Sequence, residues 1–158
     1  MDHFFEMTVG FNNFIQGLGI SKLALCREDK EYLVPVVRGS DVLTEVEVIV
    51  LLWSLIYALK PKRVVETGCN IGVTSMVIGS ALRYLNLGRS KDDKSVLYTC
   101  DVSSDSVAKA AKRCIGLPVV VEECFGTSLI TKIKPDFAFL DSDYGARLAE
   151  IDCLPLGC

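Results

Sequence analysis

The chain has 158 residues, enough to bury one core, so a single domain is expected. Half of the residues are hydrophobic and 23% are charged, a balance that excludes an intrinsically disordered chain. With a net charge of −3, a pI near 5.2 and scattered Lys and Arg, nothing marks a surface for nucleic acid or for an anionic membrane.

The start, Met1-Asp2-His3-Phe4-Phe5-Glu6, lacks the basic residues and long apolar run of a secretion signal. Residues 1–34 read as one or two helices around 11–15 and 23–26, broken at Gly17-Leu18-Gly19, and are expected to pack on the core or shape a substrate entrance. Ser40 or Asp41 can cap a helix running to about Leu59, and Thr44 with Glu47 has capping-box spacing. Its apolar part, Val48 to Leu59, is shorter than the ~20 residues a bilayer requires and is predicted to be a buried helix.

Lys60 and Pro61 end that helix. Arg63 to Glu66 then reads as a strand, and Val73 to Leu85 as a helix with Val73, Val77, Ala81 and Leu85 on one stripe. After a polar loop, Val96 to Cys100 is a second strand. Ser103 or Ser104 caps a helix on which Val107, Ala110, Ala111, Cys114 and Ile115 recur, ended by Gly116 and Pro118. Val119 to Val121 and Asp136 to Leu140 are further strands, and Tyr144 to Ile151 is a helix.

Short apolar strands alternating with helices predict an α/β fold: a doubly wound, mostly parallel, Rossmann-like sheet. The ligand crevice belongs at the carboxyl end of its first, central strand. The expected layout is an N-terminal helical extension over residues 1–37 and the α/β domain over residues 38–158. Leu154-Pro155-Leu156-Gly157-Cys158 resembles the turn before another strand, so the sheet is expected to be incomplete at its C-terminal side. The exposed edge would be prone to pairing with a second copy. The seven cysteines lack any C-x-x-C pair and His3 is the only histidine, which speaks against zinc and for reduced thiols in a cytoplasmic protein.

The chemistry concentrates in Val64-Val65-Glu66-Thr67-Gly68-Cys69-Asn70-Ile71-Gly72-Val73-Thr74-Ser75, where a strand ends on a carboxylate and a two-glycine turn enters a helix. Glycine there admits close backbone approach to a ligand. The spacing G-x-x-x-G is neither the dinucleotide G-x-G-x-x-G nor a P-loop. A cationic sulfonium cofactor with an amino-acid tail, S-adenosylmethionine (SAM), suits the turn better, with Glu66 near its ammonium group directly or through water. The other reading is a structural turn with Glu66 simply ending a strand. Asp101 ends the second strand, 35 positions later, and its two oxygens can accept both ribose hydroxyls.

With Cys100-Asp101-Val102 and Asp136-Phe137-Ala138-Phe139-Leu140-Asp141-Ser142-Asp143-Tyr144, this block makes the chain resemble the class I SAM-dependent methyltransferases from about Arg38 onward. It is most similar to small-molecule O-methyltransferases of the catechol and caffeoyl-CoA type and their relatives. The resemblance implies that Glu66, Gly68 and Gly72 surround the methionine part of SAM, with Thr74 near its carboxylate. Asp101 would hold the ribose and Val102 would pack on the adenine. Gly126 and Thr127, in the turn Phe125-Gly126-Thr127-Ser128, would meet the adenine edge, although the family often has an acidic residue where Thr127 stands. Asp141 falls where the metal-dependent branch has a ligand of Mg²⁺ or another divalent cation, and so is a candidate both for the metal and for activating the acceptor. Tyr144 replaces the catalytic lysine of that branch and could stack on substrate or donate a hydrogen bond; helix capping and packing is the alternative for Asp143 and Tyr144.

The implied activity is O-methylation of a small-molecule hydroxyl. Two alternatives stand beside it: a non-catalytic module of the same fold that binds SAM or S-adenosylhomocysteine (SAH) or serves in assembly, and, more distantly, an NAD-dependent oxidoreductase.

Overall fold

The computed structural model describes residues 46–155. The one or two helices expected over residues 1–34, the 1–37 extension and the cap at Ser40 or Asp41 lie outside the described residues, as do residues 156–158.

Helix α1 (Val46–Leu59) buries Ile49, Leu52, Trp53 and Ile56, an i, i+3, i+4, i+7 stripe. It stops where Lys60 turns to φ 51 with its amide donating to the Ile56 carbonyl at 2.9 Å, followed by Pro61. Strand β1 (Arg63–Thr67) follows, then helix α2 (Val73–Leu85), strand β2 (Val96–Asp101) and helix α3 (Ser104–Arg113). Strand β3 (Val119–Glu123), helix α4 (Gly126–Ile133), strand β4 (Phe137–Leu140) and helix α5 (Tyr144–Asp152) complete the described chain.

The four strands form one parallel sheet in the order β3-β2-β1-β4, the Rossmann-like α/β layout expected. In β1, Val64 and Val65 are both fully buried, because a central parallel strand is covered on both faces. Val64 and Leu97 belong to a core filled from α1 and α2 by Leu52, Ile56, Ile78 and Leu82. Val65 and Cys100 face the other way, onto Leu129 and Ile130 of α4. Register is fixed at the amino ends as well: the Asp136 carboxylate accepts the amides of Lys62 (3.0 Å) and Arg63 (2.8 Å). Asp136 was expected to open the fourth strand; it clamps the start of β1 instead, and β4 begins at Phe137.

Three further expectations need correction. The stripe on α3 is shorter than its periodicity implies: the helix ends at Arg113, Ile115 is 78% exposed, and only Ala110 and Cys114 of the five stripe residues are buried. The strand expected over 119–121 continues to Glu123. The stretch Phe125-Gly126-Thr127-Ser128, read as a turn, opens the two-turn helix α4. Among the described residues, no helix is long and apolar enough to cross a membrane.

Candidate functional site

β1 has β2 on one side and β4 on the other, so the chain leaves the carboxyl ends of β1 and β4 toward opposite faces of the sheet. Crevices form at such a switch point. A cavity of about 500 Å³ lies there, lined by Gly68, Asn70, Cys100, Asp101, Val102, Ser106, Cys124, Phe125, Gly126, Asp141, Ser142, Asp143, Ala146 and Glu150. Its volume is within the ~300–1,000 Å³ common for small-molecule sites.

The turn after β1 forms one wall. The amides of Gly68 and Cys69 both donate to the Cys100 carbonyl, at 3.0 and 2.9 Å, and the Asp141 amide donates to the Thr67 carbonyl at 3.1 Å. The turn is thereby tied to the ends of both neighbouring strands. Gly68 has φ 74, and a Cβ there would lie 2.5 Å from the Asp141 carbonyl oxygen. Glycine is needed at this point for conformation and for space alike.

Asp101 sits at the end of β2 with each carboxylate oxygen already engaged. Oδ2 accepts the Asn70 amide at 2.9 Å, and Oδ1 accepts the Ser103 amide at 3.0 Å. These bonds fix the carboxylate plane while leaving each oxygen a further acceptor site. Two adjacent acceptors held this way match a pair of neighbouring hydroxyls on a ligand. Val102 and Phe125, both exposed and apolar, stand beyond it on the cavity wall.

Glu66 is elsewhere. Its side chain lies on the Val64 face of β1, only 1% exposed, and is not among the lining residues. It accepts hydrogen bonds from the hydroxyls of Ser75 and Thr99, the latter at 2.6 Å. Burial raises its pKa from 4.5 to about 7 against the lowering effect of those two bonds, with a smaller upward push from the charge on Asp141. Glu66, expected near the ammonium group of a ligand directly or through water, thus lies behind the turn, outside the residues that line the cavity.

The other sequence candidates divide similarly. Gly126 and Asp141 line the cavity with Gly68, Asp101 and Val102. Gly72, Thr74, Thr127 and Tyr144 do not. Gly72 has φ 79, and a Cβ on it would fall 2.7 Å from Ala110 Cα, so its glycine serves the contact of α2 with α3. Thr74 is buried in the first turn of α2. Thr127 lies within α4, and Tyr144 is 76% exposed at the start of α5. Asp143 caps α5 by accepting the Ala146 amide at 3.0 Å, the helix-capping alternative stated for it.

Asp141 stands at the cavity wall. Partial withdrawal from water raises its pKa above the ordinary carboxylate value, while the Arg147 guanidinium pulls the other way. Arg147 is held by donating to the Ser142 carbonyl at 2.5 Å. Asp141 was also a candidate metal ligand. Among the described residues no group of three or more His, Cys, Asp or Glu side chains is placed to hold a metal ion. The five described cysteines are free. Burial drives the Cys100 thiol on the cavity wall upward in pKa, which keeps it protonated and unreactive.

Glu150 was not anticipated. It lies on α5, 2% exposed, and its Oε2 accepts the hydroxyls of Thr67 (2.8 Å) and Ser142 (2.7 Å). No local pattern marks it, because its partners come from β1 and from the segment after β4. Asn70 and Ser142 were also missed as lining residues; their places inside the glycine turn and directly after Asp141 are the signals that could have found them.

No protein-family model matches the chain, and no curated protein sequence matches it. Among solved structures, it is similar to the SAH-bound methyltransferase PaMTH1 of Podospora anserina, with a TM-score of 0.58 and 18% sequence identity. The match covers 81% of this chain and 56% of PaMTH1, so the chain spans little more than half of that protein's length. At this identity the likeness establishes a shared fold: the chain has the Rossmann-like α/β fold seen in PaMTH1.

Proposed function

We infer that the chain is a SAM-dependent methyltransferase acting on a hydroxyl of a small molecule. The observation that carries this reading is Asp101, pinned by two backbone amides beside the Gly68 turn with an acceptor site left on each oxygen. That geometry suits the two hydroxyls of a ribose. The fold shared with a SAH-bound methyltransferase supports the same ligand class.

Bound SAM would supply a methyl group already made electrophilic by its sulfonium. The residues of the chain then have three tasks. Asp101 fixes the ribose, while Val102 and Phe125 cover the base, so that the cofactor is held in one pose. The turn from Gly68 to Asn70 brings backbone close to the amino-acid tail without a side chain intervening. Asp141 faces the cavity as the proton acceptor for the substrate hydroxyl, and its raised pKa makes it a stronger base than an ordinary exposed carboxylate. Alignment of nucleophile, carbon and sulfur supplies most of the acceleration in such a site. No step is assigned to a metal.

A second reading is a binding-only module of this fold. The observation favouring it is Tyr144, which lies off the cavity where the related enzymes would have a lysine. Incubating the full chain with methyl-labelled SAM and a panel of catechols, other phenols and sugars separates the two. Release of SAH with label in an acceptor supports the enzyme; saturable SAM binding with no release across the panel supports the module. As for other partners, β4 is an edge of the sheet among the described residues, and that edge is proposed as a pairing surface for a second copy.

A further inference from the structure

We propose that Glu150 is the residue that selects adenine in this cavity, by accepting the exocyclic amine of the base on its Oε1. The inference rests on the adenosyl-cofactor reading above. Glu150 is almost fully buried yet lines the cavity. Two hydroxyls, from Thr67 and Ser142, converge on Oε2 and lock the carboxylate in one orientation. Oε1 receives no hydrogen bond among the described residues and lies over Gly126, where any Cβ would overlap it and would also come within 2.7 Å of Thr67 Cγ2. The glycine thus makes the room in which the free oxygen sits.

Once a ligand fills the cavity and excludes water from it, an acceptor there with an unused lone pair calls for an N–H donor on that ligand, because leaving it covered and unpaired is costly. With the ribose on Asp101, the base extends along Val102 and Phe125 toward the wall formed by Gly126 and Glu150. Adenine presents an amine at its far edge. Hypoxanthine presents a carbonyl oxygen at the same place, which would face the carboxylate oxygen with no proton between them. Thr127, expected with Gly126 at the adenine edge, carries no acid and lies off the cavity, whereas Glu150 supplies one from α5.

The test is calorimetric titration of the full chain with SAH and with its deaminated analogue, S-inosylhomocysteine. Wild-type protein should prefer SAH by about 10- to 100-fold, the range for losing a hydrogen bond to a charged group. Glu150→Gln can turn its amide to meet either base, so its preference should fall to about threefold or less. Glu150→Asp, which withdraws the oxygen by one methylene, should reduce the preference too and serves if the Gln variant does not fold. A wild-type preference below about threefold, or one that Glu150→Gln or Glu150→Asp leaves unchanged within about twofold, would overturn the proposal. SAH binding with those outcomes leaves the cofactor reading intact, whereas failure of wild-type protein to bind SAH overturns both.

Discussion

Glu66→Gln should change how stability depends on pH, and the sign follows from burial. The folded state holds the Glu66 proton up to about pH 7, while the unfolded chain releases it near its ordinary value of 4.5. Between those values the folded state binds more protons, so stability falls as pH rises through the window and levels off above it. At about 1.4 kcal/mol per unit, the interval corresponds to about 3 kcal/mol. Glutamine keeps a carbonyl oxygen for Ser75 and Thr99 but has no proton to lose. The stability difference between Glu66→Gln and wild type should therefore move by about 3 kcal/mol in favour of the variant from about pH 4.5 to about pH 8. Urea unfolding read by fluorescence of Trp53, the single tryptophan and 2% exposed in the core beneath α1, measures this directly. With a urea slope of about 1–3 kcal/mol per M, the relative midpoint shift is about 1–3 M. The other carboxylates cancel in the comparison. Parallel curves, with a difference constant to about 0.5 kcal/mol across the range, would refute the burial argument.

Gly72→Ala should destabilise the chain by about 2 kcal/mol, combining positive-φ strain with the collision at Ala110, and a thermal melt measures it. Tyr144→Phe should leave SAH affinity within about twofold and stability within about 0.5 kcal/mol, since the ring is exposed and off the cavity; calorimetry and a melt check both. Asp141→Asn should lower methyl transfer by about 10²–10⁴-fold while changing SAH affinity by less than about threefold, read from single-turnover rates and titration. Trp53 fluorescence should report unfolding and not ligand binding, because the indole belongs to the α1–α2 core and not to the cavity.

The first strand, its glycine turn and the helix after it were legible because their physics is local. Val64 and Val65 give an apolar strand, Gly68 takes a backbone angle other residues resist, and the stripe Val73, Val77, Ala81, Leu85 is buried in full. Asp101 was legible as a carboxylate at a strand end. The side of the sheet that Glu66 occupies was not. In a central strand both faces are apolar, so alternation carries no sign of which face meets a ligand, and the hydroxyl of Thr99 that satisfies Glu66 is 33 positions away. Glu150 was hidden for the same reason, with Thr67 at a separation of 83 residues. Helix α4 was missed because two turns opening on glycine, with no side-chain cap, leave little periodicity to read. At α3 the error ran the other way: hydrophobic spacing continues through Ile115, but the backbone leaves the helix after Arg113.

Cofactor binding in this cavity centres on Asp101 presenting two oriented acceptors to a ribose diol. Calorimetric titration of SAH into the full chain and into Asp101→Ala, with Trp53 fluorescence confirming that the variant is folded, tests this directly. Wild-type protein should bind saturably, and the variant about 10- to 100-fold more weakly. Absence of binding by wild-type protein, or equal affinity in the two, would contradict it.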